Sequence, residues 1–391
     1  MNRKQLTLLI VLGVVLGGLG YVSYKKRQSS FERGNEHGTA AEEGQKLLNG
    51  VPASAINDVA QLTIKSGPAG ITLSRSGEQW TVKERGGYPA NFITISELVK
   101  KFWDVKITRA VEAGPSRLPV LKLTKAEGTL VELKDEKGKS IAILTLGKQV
   151  SKEGREDDSP FGGGAFPTSR YVMRGDDLKT IALVSDPLSV ETKPEDWLNK
   201  DWFKVEKLKS VAVVTTNATN NWKLMRETEG GDWKFAATNA AETLDGAKTG
   251  ALSSLLTSPS FNDVLIDPKP DQAGLDKAVT ATLETFEGFT YTLKLGRMAA
   301  GEETYAVQMS VAGNFPKERA AGKDEKPEDK TRLDKEFADK TKRLAEKFKA
   351  DQAFEKWTFT VSKWTVDSLL KDRKEWLAEK KEEPKKEPEA K

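Results

Sequence analysis

The sequence predicts an α+β fold: two tandem repeated modules, each an antiparallel sheet with a packed helix, preceded by one transmembrane helix. Three observations carry this expectation. GEQWTVKE at residues 77–84 and GGDWKFAA at residues 230–237 both write Gly and acidic turn residues, then a Trp, then a short strand-like run. Around each motif lies the same order of strands, helix, strands and a closing Trp-Leu pair, Trp197-Leu198 in one case and Trp376-Leu377 in the other. The third observation is residues 6–24 (LTLLIVLGVVLGGLGYVSY), which carry no charge. At about 1.5 Å per residue they approach the ~30 Å hydrocarbon core of a bilayer.

Residues 1–5 are read as a cytoplasmic leader and 6–24 as an uncleaved anchor, because the apolar run ends directly in Tyr24-Lys25-Lys26-Arg27 with no A-x-A-like cleavage site. Gly13, Gly17 and Gly20 fall on one stripe of that helix, the pattern that lets two membrane helices approach closely, so the segment is a candidate dimer contact as well as a lipid contact. Residues 25–46 are Gly- and Glu-rich and read as a linker.

The first module is expected over residues 47–202. INDVAQLTIKSGPAGITLSRSGEQWTVKE reads as three strands with turns at Ser66-Gly67-Pro68 and Ser76-Gly77. A helix follows, with Thr94 and Glu97 as its expected capping box and Ile95, Leu98, Val99 and Phe102 on one apolar face. TLVELKDEKGKSIAILTLGK then reads as a hairpin, RYVMRG as a strand and KPEDWLNKDW as a helical end.

The second module is expected over residues 203–377 and repeats this order. Trp222, Leu224 and Arg226 align with Ile71, Leu73 and Arg75, and Trp233 with Trp80. The apolar face of its helix is assigned to Leu244, Ala247, Ala251 and Leu255. Leu295-Gly296-Arg297 matches Leu146-Gly147-Lys148. The paired Trp residues are expected to anchor the cores. An exposed row of Trp80, Trp222 and Trp233 would instead favour a polymer-binding face.

The modules differ in two decorations. Residues 151–169 (SKEGREDDSPFGGGAFPTS) stand where the second module has only MAAGEE, and Phe161 and Phe166 are candidate partner-docking residues on that Gly-rich loop. In the second module 22 of the 38 residues from 316 to 353 are charged. Within this insertion, about 317–353, Leu333, Phe337, Leu344 and Phe348 make a narrow apolar seam, either an interaction helix or a helix laid back on its own sheet. Residues 378–391 read as a disordered tail.

Composition narrows the chemistry. The net charge of +4 depends on Arg3, Lys4, Lys25, Lys26 and Arg27 beside the apolar segment, and no basic stripe or recognition motif suggests nucleic acid as a partner. The chain has no Cys and one His, His37, which lies in the linker, so a thiol nucleophile and a His-based triad are excluded from the modules. Gly162-Gly163-Gly164 lacks the Lys-Ser/Thr of a phosphate cradle, and Glu156, Asp157 and Asp158 lack the ligand spacing of a calcium loop. No catalytic, cofactor-binding or metal-ligating residue is expected.

With the duplication, the anchor, YPA at residues 88–90, LTLGK at 144–148 and PEDWLNKDW at 194–202 in view, the chain resembles a bacterial family known only as domain of unknown function 4340, over about residues 47–377. The resemblance implies a single-pass inner-membrane protein with its body in the periplasm or extracytoplasmic space. It also implies a non-catalytic accessory role beside an ABC-type transport complex of the gliding-motility kind. TNAAET stands in the second module where the first has YPANFI, so a property of that element need not be shared. Two other functions compete: a cell-wall or surface-polymer binding module, and a hydrolase using two carboxylates that face each other across a cleft.

Overall fold

A computed structural model describes residues 40–151, 166–237, 242–299, 303–320 and 325–378. The expected anchor at 6–24, with Gly13, Gly17 and Gly20, lies outside these residues. Among the described residues no helix is long and apolar enough to cross a membrane. The chain divides into two compact units, 1–199 and 200–391. It is a mixed α+β protein built on two antiparallel sheets with few helices.

The first unit contains β1 (Gln61–Ser66), β2 (Ala69–Ser76), β3 (Gln79–Val82), β4 (Tyr88–Pro89), α1 (Phe92–Asp104), β5 (Ile107–Ala110), β6 (Thr129–Lys134), β7 (Ser140–Ser151), β8 (Pro167–Arg174) and β9 (Ala182–Val184). Its strands lie in the order β4-β3-β2-β1-β6-β7-β8-β9-β5. The expected turns close β1–β2 and β2–β3. Ser66 pairs with Ala69 and Ser76 with Gln79, leaving two-residue loops whose first residue, Gly67 or Gly77, has φ of 55° or 62°. A two-residue hairpin that matches strand twist needs such a positive φ, which glycine adopts without steric cost. Period-two alternation then buries Leu62 and Ile64 on β1, Ile71 and Leu73 on β2, and Val131 and Leu133 on β6.

Helix α1 buries Ile95, Leu98, Val99 and Phe102, the expected face, and also Trp103. Its start differs from expectation. Asn91 is the N-cap, its side chain accepting from the Ile93 and Thr94 amides, so Thr94 lies inside the helix and the Thr94–Glu97 capping box does not form. Asn91 follows Pro89-Ala90, where the chain is extended. A short amide at the first residue able to turn satisfies the orphan donors before Thr94 is reached. Residues 41–46, read as the end of the linker, belong to this unit. The Ala41 amide donates to the Lys179 carbonyl, and Gly44 and Gln45 exchange hydrogen bonds with Ile107.

The second unit contains β10 (Leu208–Val214), β11 (Trp222–Met225), β12 (Lys234–Phe235), α2 (Gly246–Thr249), β13 (Asp263–Leu265), β14 (Val279–Thr285), β15 (Phe289–Arg297), β16 (Thr304–Gly313), α3 (Pro327–Gln352), β17 (Thr358–Ser362) and α4 (Lys363–Leu370). The sheet order is β12-β11-β10-β14-β15-β16-β17-β13. Element for element this is the order of the first unit without a counterpart of β4. The registers agree as well. Ile71 faces Ile64 and Leu73 faces Leu62, while Trp222 faces Val213 and Leu224 faces Val211. The Arg75 amide donates to the Ala60 carbonyl and the Arg226 amide to the Lys209 carbonyl. Trp202, placed by sequence at the end of the first module, packs instead in the second unit against Phe261 and Phe359.

The helix after β12 departs from expectation. Only four residues, Gly246–Thr249, are α-helical, and Gly250–Ser254 continue as a tighter 3-10 turn. Ala247 and Ala251 are exposed, whereas Thr249, Leu252, Leu255 and Leu256 are buried. Gly246 and Gly250 weaken the α-helix, and three-residue turns move the buried face onto 249, 252 and 255. Both units nevertheless fix this element alike. The Asn91 amide donates to the Trp197 carbonyl and the Asp245 amide to the Trp376 carbonyl, while Ala90 bridges Leu198 and Leu244 bridges Leu377.

Candidate functional site

The two decorations fall in connections whose counterparts are short. Residues 152–166 join β7 to β8, where residues 298–303 suffice between β15 and β16. The charged insertion joins β16 to β17, where residues 175–181 suffice between β8 and β9. Phe161 lies outside the described residues. Phe166, at the foot of β8, is 78% exposed.

The insertion folds as α3, which begins at Pro327. Proline suits a first helical position, since its missing N–H would have no intrahelical partner. Arg319, on the segment leading in, pairs with Glu325 and with Asp334 of the helix. The seam residues separate into two groups. Leu344 is buried, and Phe348 packs edge-to-face on Phe315, which in turn meets Phe289 of β15. Leu333 and Phe337, two to three turns earlier, remain half-exposed. The helix is therefore laid back on its own sheet by its C-terminal part. Its N-terminal part presents the rest of the seam, and an outward row of Glu336, Asp339, Lys342, Arg343 and Glu346, all exposed, runs along the helix into the seated turns.

Sequence reasoning missed what pins the seated end. Asp351 is the one buried acid among the described residues. It accepts from the Tyr291 hydroxyl at 2.7 Å and from Lys347 Nζ at 3.0 Å, and Lys347 also donates to the Lys204 carbonyl at 2.9 Å. The ammonium sits over the Phe289 and Tyr291 rings. Burial, then the bond to Asp351, pushes the Tyr291 phenol far above its ordinary range, so it stays a neutral donor. Nothing in the pattern of 22 charges distinguishes Asp351, and only the fold brings Tyr291 to it.

Trp80, Trp222 and Trp233 are all buried and form no open aromatic row. Trp222 donates its indole N–H to the Lys371 carbonyl at 2.7 Å and meets the Trp376 ring, and Trp233 lies beneath the buried Arg226 guanidinium, 5.0 Å from its centroid. Among the described residues, no group of three or more His, Cys, Asp or Glu side chains is arranged to hold a metal ion. Burial lowers the Arg170 guanidinium of β8 to about 10, and it donates to the Gly147 and Leu188 carbonyls.

Neither the curated proteins nor the solved structures contain a match to the chain. One family profile does match, over residues 80–278, just over half of the chain. The matched span opens at Trp80 in β3 and closes before β14, so it takes in the YPA, LTLGK and PEDWLNKDW motifs and crosses from one unit into the other. On that match the chain belongs to the family described as "Domain of unknown function (DUF4340)".

Proposed function

We propose that the protein is a non-catalytic accessory component of a bacterial envelope complex, of the ABC-transport or gliding-motility kind. In this reading residues 6–24 tether two copies of one duplicated unit to the inner membrane, with the body on the extracytoplasmic side. The shared strand order and the matched Asn91–Trp197 and Asp245–Trp376 bonds support the duplication. The observation that carries the accessory role is α3. A helix fastened by Leu344, Phe348 and Asp351 presents half-exposed Leu333 and Phe337 between balanced charges, a surface suited to a second protein.

The test is cross-linking in intact membranes, then purification in mild detergent through the C-terminal tail. Deleting 317–353 would strip the pinned residues from the sheet, so the informative variant is Leu333→Asp with Phe337→Asp, which leaves Leu344, Phe348 and Asp351 in place. Recovery of transporter subunits with the native chain and their loss with the double variant is the expected result. Recovery of the protein alone, or subunits equally with both chains, refutes the role assigned to α3.

A further inference from the structure

A second feature of the second unit stands apart from α3. Between residues 251–259 and α4 lies a cleft of about 420 Å³, within the size range of small-molecule sites. One wall is Trp364. Of the chain's nine Trp residues it alone is exposed, at 68%, although Thr365 and Val366 beside it are buried. Seven of the other eight indoles are buried and Trp357 is half-buried, so core packing does not explain an exposed ring edging a cleft.

The remaining lining is rich in hydroxyls: Ser254, Thr257, Ser258, Thr365 and Ser368. Ser254 and Thr257 donate to the Ala251 and Ser254 carbonyls, which leaves their oxygens able to accept. Thr365 is 8% exposed, and its hydroxyl is buried without a hydrogen-bond partner. Two charged residues complete the lining. Asp367 is held by Lys363 at 2.6 Å, and Lys371 lies over the Trp376 ring. The opposite wall is set by backbone: Leu256 has φ of 54°, and its carbonyl accepts from the Val205 amide at 2.8 Å.

We infer that this cleft binds a neutral glycan, with one sugar ring stacked on the Trp364 indole and its hydroxyls met by Ser254 and Thr257. A pyranose offers an apolar face of C–H groups to an aromatic ring and a rim of groups that both donate and accept, which is what this lining complements. A protein anchor would call for a more apolar socket, and an acidic polymer for several cations, where this lining offers Lys371 alone. The inference does not depend on α3 or on the accessory role.

The experiment titrates the full-length chain, in a detergent without a sugar headgroup, by calorimetry. The probes are a β-1,4-linked N-acetylglucosamine tetramer, an α-1,4-linked glucose tetramer and a galacturonic acid tetramer. A neutral tetramer is expected to bind with Kd at or below about 1 mM. Trp364→Ala should weaken it by about tenfold or more, the scale of a lost stacking contact, and Trp364→Tyr should restore most of the affinity. Trp364 is exposed, so its variants fold. Three results would overturn the inference: no heat from either neutral tetramer, binding by the acidic tetramer alone, or affinity unchanged by Trp364→Ala. Loss of a cross-linked protein from Trp364→Ala without loss of sugar binding would likewise assign the ring to a protein interface.

Discussion

Asp351→Ala tests the pin on which the seating of α3 depends. The substitution removes the acceptor of the Tyr291 hydroxyl, whose other oxygen neighbour is the Lys204 carbonyl at 3.5 Å, and leaves Lys347 with that same carbonyl and two aromatic faces. A buried hydroxyl deprived of its partner costs roughly 1–3 kcal/mol. Breaking a fully buried ion pair costs about 3–5 kcal/mol, but the Lys347 side chain is 23% exposed, so water recovers part of that. Together these give ~2–4 kcal/mol, which for a unit of this size lowers its melting midpoint by roughly 4–16 °C. Calorimetric unfolding gives the midpoint, and amide exchange over Leu344 to Gln352 reports release of the seated end. In a double-mutant cycle with Tyr291→Phe the two costs should fall short of additive by about 1 kcal/mol or more. A change below about 0.5 kcal/mol, or full additivity, would refute the idea that Asp351 fastens the helix.

Gly147→Ala and Gly296→Ala should each cost about 1–3 kcal/mol in chemical denaturation, because an added Cβ would stand 2.3 Å from the Leu121 carbonyl oxygen or 2.2 Å from that of Ala273. Gly114→Ala, with nothing within 4 Å and an ordinary φ, should be neutral or slightly stabilising in the same assay. Asn91→Ala should destabilise the first unit by ~1 kcal/mol and Thr94→Ala by less than about 0.5, since Asn91 is the cap. The folded-state pKa of Tyr291 is raised, so its contribution is complete below the ordinary phenol value of about 10 and is lost as pH rises above it. Unfolding followed from pH 8 to 11 should show a loss in the native second unit that Tyr291→Phe removes.

Much of the fold was legible because it rests on local chemistry. Gly67 and Gly77 mark hairpins whose loop length admits few residues, and the alternation in Leu62, Ile64, Ile71 and Leu73 can be satisfied only by strands with one buried face. Trp80 and Trp233 could be aligned because each faces the same arginine of a two-residue hairpin or its equivalent, Arg75 by register and Arg226 by the stacked guanidinium. What escaped depends on partners far along the chain. The glycine of each LG[KR] triplet was noticed but not explained, since its reason is a carbonyl more than twenty residues earlier, at Leu121 or Ala273. Thr94 with Glu97 writes a capping box, a stronger local signal than a lone Asn after Pro89-Ala90, which hides the true cap at Asn91. Composition cannot separate the exposed ring of Trp364 from eight that are wholly or partly covered.

The comparison of the units separates what the sheet requires from what it merely tolerates. Ladder register binds each strand to two neighbours, so changing a strand disturbs three, while a connection can lengthen at the cost of loop closure, which grows only slowly with length. That accounts for where the decorations lie but not for the form of α3. A helix of 26 residues is about 39 Å long, and the part from Leu344 to Gln352 that carries the buried Leu and the pin is a third of it. The remainder is ordered mainly by exposed pairs such as Arg332 with Asp329 and Glu336, each worth only a few tenths of a kcal/mol. Helix propensity alone leaves such a segment marginal in water. If α3 served only its own sheet, Leu333 and Phe337 would have no reason to continue the seam past the seated turns. Their half-exposure on a length of helix held by Arg319 at Asp334 and by few other contacts is the physical ground on which a partner is proposed for them.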